Sequence, residues 1–159
     1  MEDNIKKIYG LIGYGLMAYY YYYNRNDKYS NIILIGYIVL TLVYVPWFLK
    51  YEIRHKPRTD EDIQDDIILE EFIKKIGYSL IGLYYANKLT YKVELHSLLG
   101  LVGNLLILSK YKKYANIILL IYYIESIMHN RGNIGITSLI LHYYYQLYYY
   151  QLDNISNIV

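Results

Sequence analysis

The sequence predicts an all-α fold, a polytopic membrane bundle of about six transmembrane helices, and three observations carry that reading. First, six apolar stretches recur along 159 residues, at 8–23, 31–49, 73–87, 93–109, 115–129 and 135–152. Each is bracketed by charge, Asn, Gly or Ser, and each exceeds the usual length of a strand. Second, charge is scarce and clustered. Eight of the fourteen acids lie between Glu52 and Glu71, and only Glu94, Glu125 and Asp153 follow Ile76. A soluble bundle needs a polar face on every helix, and residues 76–159 cannot supply one from charge. Third, with both termini on the cytoplasmic side, eleven basic residues fall in inner segments and five in outer ones. The inner set is Lys6, Lys7, Lys50, Arg54, Lys56, Arg58, Lys74, Lys75, Lys110, Lys112 and Lys113. That excess follows the positive-inside rule.

Composition agrees. The chain is 55% hydrophobic and 19% charged, against about 25% charged in ordinary soluble domains. Its mean hydropathy of +0.11 is low for a multi-pass protein. The 25 tyrosines hold it down, because the scale penalises a ring that is largely apolar. A net charge of +2 does not point to nucleic acid, and the absence of cysteine excludes disulfides and thiolate chemistry. The expected partner is a lipid bilayer, with further copies or other membrane subunits beside it, and no cofactor or metal is assigned.

The first stretch extends to 5–23 and ends in Tyr19 to Tyr23, with no small-residue cleavage site, so it reads as a retained helix. The second holds Pro46 and Trp47 near its inner end, read as a kink and an interfacial anchor. A connection at 51–72 follows. Pro57 stops the preceding helix, Thr59 is a good N-cap, and Asp60, Glu61 and Asp62 suit the first turn of a new helix. A cytoplasmic amphipathic helix is expected there, with Ile63, Ile67 and Phe72 at helical spacing, running into the third span. The fourth span opens with Glu94 and His96, the fifth contains Glu125, and the sixth holds His142, read as a satisfied core histidine. Tyrosine pairs and triplets at span ends read as aromatic belts at the membrane interface.

A repeat organises these spans. Lys28-Tyr-Ser-Asn-Ile-Ile-Leu-Ile35 returns 85 residues later as Lys113-Tyr-Ala-Asn-Ile-Ile-Leu-Leu120, and Gly15-Leu16 falls on Gly100-Leu101 in that register. Ser79-Leu-Ile to Tyr85 matches Ser138-Leu-Ile to Tyr144 once the acidic connection is skipped. The chain then forms one integral membrane domain in two halves, 1–90 and 91–159, as a 3+3 inverted repeat of the kind found in transporters.

Glu125 is the most informative residue. A carboxylate inside a span costs roughly 2.5–3.5 kcal/mol on insertion scales, so it should face the bundle interior, pair with a partner or be protonated. His129 lies one turn on, on the same face. Glu94, His96, Glu125 and His129, with Asn104, form a candidate ion, proton or substrate path in the outer half. A different set follows from motif order. Glu70-Glu71-x-x-x-Lys75, then His96, then His129-x-x-x-Asn133 resembles the motifs of CAAX-type intramembrane endopeptidases. That resemblance implies Glu70 or Glu71 as base, His96 and His129 assisting, and Asn133 stabilising an oxyanion. Lys75 stands where the family has Arg, and Lys92 where it has Phe. Three readings are thus expected in order: a channel- or transporter-like module, a non-catalytic structural or assembly subunit of a cellular or virion membrane, and an intramembrane Glu/His enzyme.

Overall fold

The computed structural model describes residues 2–24, 29–55, 57, 59–129 and 133–158, with side chains at 4–24, 29–55, 57, 59–129 and 134–148. These residues are helical almost throughout: α1 (Glu2–Tyr23), α2 (Ser30–Trp47, continued by a π-helical turn Phe48–Ile53), α3 (Asp60–Leu89), α4 (Leu95–Leu106), α5 (Lys112–Met128) and α6 (Asn133–Ile158). Each of the six apolar stretches is one helix. The boundaries differ most at α4, whose helix covers only Leu95–Leu106 of the stretch read as 93–109.

Local chemistry explains the ends. Thr59 caps α3 by accepting from the Asp62 N–H at 3.2 Å, and Asp62 Oδ2 accepts from the Thr59 N–H at 3.3 Å. This reciprocal box satisfies two backbone donors. The helix then runs unbroken through position 72. Pro46 does not break α2. The helix continues and widens into the π turn, the rare form often found at irregular points within helices. His55, with φ 54°, turns the chain out of that helix.

Each helix packs on its neighbours in sequence, and α1 also packs on α6. The six therefore close into an antiparallel ring. One end gathers Lys6, Lys7, Lys74, Lys75 and Lys112, and the other gathers Lys92, His96 and His129. Gly36 and Gly77 let α2 and α3 approach: a Cβ on Gly77 would lie 2.6 Å from Leu40 Cδ2 and 3.3 Å from the Gly36 carbonyl oxygen.

Polarity in the ring is distributed unusually. Between Lys7 and Asn24, Ser30 and Leu49, Ile76 and Asn87, Leu98 and Ser109, Tyr114 and Ile124, and Ile134 and Tyr148, no residue is charged. Ile12, Ile38, Leu42, Leu83, Val102, Leu105 and Ile121 are exposed on the outside of these stretches. The inside is filled by Tyr14, Tyr37, Tyr44, Tyr78, Tyr84, Tyr85, Tyr122, Tyr123 and Tyr143, all buried, with His96, Asn104, Asn116, Ser126 and His142 among them.

Two expectations are corrected here. Many tyrosines are core residues rather than surface residues at helix ends; among the described residues Tyr19, Tyr22, Tyr23, Tyr91, Tyr111, Tyr114, Tyr144 and Tyr148 are the exposed ones. The buried rings fill the interior, and the hydroxyls of Tyr14, Tyr37, Tyr78, Tyr85, Tyr122, Tyr123 and Tyr143 are hydrogen-bonded there. Trp47 is buried rather than anchoring at a surface, because Lys7 Nζ sits 5.4 Å from its ring centroid. His142 is satisfied as read: its Nδ1–H donates to the Lys6 carbonyl at 2.7 Å, and Gln146 Nε2 donates to its Nε2 at 2.7 Å.

Candidate functional site

The polar interior is organised as hydrogen-bonded groups stacked along the ring. α4 begins at Leu95 with Glu94 as its extended N-cap residue, and this places His96 in the first turn, buried and facing α5. Across from it, α5 presents Tyr122, Glu125, Ser126 and His129, a spacing that keeps them on one face. His96 Nδ1–H donates to Glu125 Oε2 at 2.5 Å, and His129 Nε2–H donates to Glu125 Oε1 at 2.8 Å. With the neutral ring protonated at Nδ1, its Nε2 is left to accept from the Tyr85 hydroxyl at 3.3 Å. Tyr85 in turn shares a hydrogen bond with Tyr122. Ser126 Oγ donates to the Tyr122 carbonyl at 2.9 Å and lies 3.4 Å from His96 Nδ1.

Solvent reaches this group through His129. The His129 side chain is 58% exposed, that of Glu125 19% and that of His96 5%, so the three form a graded path from surface to core. They form a line rather than a cage, because the histidines hold opposite oxygens of one carboxylate. Among the described residues no three His, Cys, Asp or Glu side chains converge as metal ligands do.

Deeper in the ring, Tyr37 and Tyr123 pair through their hydroxyls at 3.0 Å. The Tyr123 ring stacks on Tyr143 at 5.5 Å. Tyr143 then closes a triangle of hydroxyls with Tyr14 and Tyr78: 2.7 Å from Tyr14 to Tyr143, 2.6 Å from Tyr14 to Tyr78, and 3.0 Å from Tyr78 to Tyr143. Tyr78 also borders a vestibule at the lysine-rich end. Hydroxyls from α1, α2, α3, α5 and α6 thus meet across the lumen.

The sequence-derived candidates separate accordingly. The structure joins His96, Glu125 and His129. Asn104 lies two turns further along α4, buried, with its Nδ2 donating to the Gly100 carbonyl at 2.6 Å and its Oδ1 without a partner among the described residues. Glu94 pairs with Lys92 at 3.3 Å near the surface. Glu70 meets Lys7 at 3.3 Å, and Glu71 meets Lys112 at 3.3 Å. Glu71 and Tyr85, the contact of His96, are fourteen residues apart on one helix, roughly 20 Å at 1.5 Å per residue. Glu70, Glu71 and His96 are therefore not brought together. Asn133 opens α6, and its side chain lies outside the described residues.

The tyrosines are what sequence reasoning missed. The signal was present: Tyr14 and Tyr21, Tyr37 and Tyr44, and Tyr78 and Tyr85 are each seven residues apart, two helical turns on one face. No protein-family model, no curated protein and no solved structure matches the chain.

Proposed function

We propose that this chain is a small multi-pass membrane protein, a channel- or transporter-like module of two three-helix halves, whose buried His–Glu–Tyr chain moves protons. The observation that carries the reading is the inverted polarity of the ring. Apolar side chains point outward along uncharged mid-helix stretches, while hydroxyls, imidazoles, amides and a carboxylate point inward. Water as solvent would favour the reverse, and a bilayer favours this arrangement. The most apolar 18-residue stretch within Ser30–Ile53 has a mean hydropathy of 2.4, which by length and composition suits a crossing alone, and the other five would cross as members of the ring. Under this reading both termini and the lysine-rich end face the cytoplasm.

The repeat fits the same reading. In a closed antiparallel ring, helices three apart run oppositely, as α1 and α4 must under an inverted duplication. Ser30 and Ala115, Leu34 and Leu119, and Tyr37 and Tyr122 are equivalent pairs, and all six residues are buried.

Proton movement follows from the bonding. Tyr85 gives its proton to His96 Nε2 while Nδ1 passes its own to Glu125, Tyr122 refills Tyr85, and Tyr37, hydrogen-bonded to Tyr122, refills Tyr122 in turn. Glu125 then gives its proton to water at the surface, beside His129, whose Nε2–H stays on Oε1. Between Tyr123 and Tyr143 the rings stack, so hydroxyl rotation or a water molecule must carry the step. The test is proton uptake into vesicles holding the purified chain under an imposed potential, read with an entrapped pH dye. Wild type should exceed protein-free vesicles, and Glu125→Gln should slow uptake at least tenfold while keeping its helicity. Uptake at the protein-free rate, or an unaltered rate in the variant, would overturn the reading.

A second reading, a non-catalytic assembly subunit of a membrane complex, is favoured by the dense tyrosine filling of the lumen. It predicts no uptake and a loss of complex assembly when outward residues such as Leu83 are replaced. The peptidase-like reading has no such support, since its carboxylates and His96 lie at opposite ends.

A further inference from the structure

At the lysine-rich end the ring opens into a vestibule of about 220 Å³. Four lysines border it, Lys6 from α1, Lys74 and Lys75 from α3 and Lys112 from α5, against one acid, Glu71. Glu71 is already shared, at 3.3 Å from Lys112 and 4.0 Å from Lys74. Crowded ammonium groups at a low-dielectric mouth repel one another, and an anion relieves that repulsion.

The seventeen-residue helix α5 begins at this vestibule. Its N-cap residue, Tyr111, makes no side-chain hydrogen bond to the first turn, which leaves backbone N–H groups beside Lys112. Such a terminus favours phosphate. One turn on, Asn116 borders the same space. It is 3% exposed, and its Oδ1 is buried with no partner among the described residues. An orphan acceptor next to cations asks for a ligand that carries both an anion and a donor.

We infer that this vestibule binds a phosphate group with a neighbouring hydroxyl, the chemistry shared by a soluble polyol phosphate and a glycerol-type phospholipid head group. The lysines and the first turn of α5 hold the phosphate oxygens through charge-assisted hydrogen bonds, and Asn116 Oδ1 accepts from the hydroxyl. This site goes beyond the proton path and does not depend on it.

The full chain in zwitterionic detergent is titrated with glycerol 3-phosphate and followed by its thermal unfolding midpoint, with sodium chloride matched for ionic strength. A saturable rise is expected, weakened at least tenfold in Lys75→Gln/Lys112→Gln and in Asn116→Asp, and unaltered in Lys88→Gln at the opposite end. Lys75 is exposed and Lys112 partly so, and retained helicity checks that the variants fold. In parallel, native mass spectrometry compares retention of phosphatidylglycerol and phosphatidylcholine. Retained phosphatidylglycerol that glycerol 3-phosphate fails to displace assigns the lipid as occupant. Saturable binding without lipid retention assigns a soluble ligand, and mutual displacement assigns both to one site. A rise matched by chloride, or binding indifferent to Lys75→Gln/Lys112→Gln, overturns the inference.

Discussion

Lys7 is almost wholly enclosed, its ammonium 3.3 Å from Glu70 and over the Trp47 ring. An ion pair so placed is costly to break, because the surviving charge stays buried. Lys7→Met should lower stability by about 3–5 kcal/mol, while Lys7→Met/Glu70→Leu restores most of the loss. Thermal unfolding of the two variants in detergent checks this, and equal losses would contradict it. Tyr14 makes two short hydroxyl bonds, to Tyr78 and Tyr143, and those two also bond each other. Tyr14→Phe should therefore cost only about 1–3 kcal/mol, since neither remaining hydroxyl is orphaned. At this scale the sequence was half legible. Glu125 stood out because a lone acid in an apolar run must find partners, and the spacing of His129 named one of them. The importance of Tyr85 and Tyr122 was not legible, because a tyrosine ring suits a core and an interface equally well.

Helix ends read well from the chain, and helix contacts read poorly. Thr59 with Asp60 to Asp62 announced the start of α3, since the capping box is a local pattern. Thr59→Ala should cost about 1 kcal/mol. Faster amide exchange confined to residues 60–66 would register it, and uniform exchange would speak against the cap. The π turn after Pro46 had no comparable signal, because it answers to packing against neighbouring helices. Ile63, Ile67 and Phe72 lie on a helix as expected, yet they are exposed, while Asp66 and Glu70 on the adjoining strip of the same helix are buried. The buried lysine drew that helix face inward. Between α2 and α3, Gly77 meets Gly36 with no room for a side chain. Gly77→Val should destabilise by about 1–3 kcal/mol through overpacking, and Gly15→Ala, where the nearest atom is 3.8 Å away, should not. Paired unfolding curves separate the two.

Closure of the ring depends on α1 meeting α6 across almost the whole chain length, and nothing local encodes that contact. What the sequence did carry was the number of helices, their alternation and the scarcity of charge that forces polar groups to share one interior. Helix lengths then set a condition on the surroundings. α4 spans about 18 Å and α5 about 25 Å at 1.5 Å per residue, short of a hydrocarbon core near 30 Å. Thin bilayers should suit the ring better. Unfolding in vesicles of fourteen-carbon lipids should therefore occur at a higher temperature than in eighteen-carbon lipids. The account rests most heavily on lipid, rather than water, surrounding the ring. The chain has no cysteine, so single cysteines at Ile38, Leu83 and Ile121 can each carry a spin label without interference. In reconstituted vesicles these labels should be relaxed by dissolved oxygen and shielded from a water-soluble nickel chelate. Labels relaxed by the chelate, on a chain that stays monodisperse without detergent, would contradict the account.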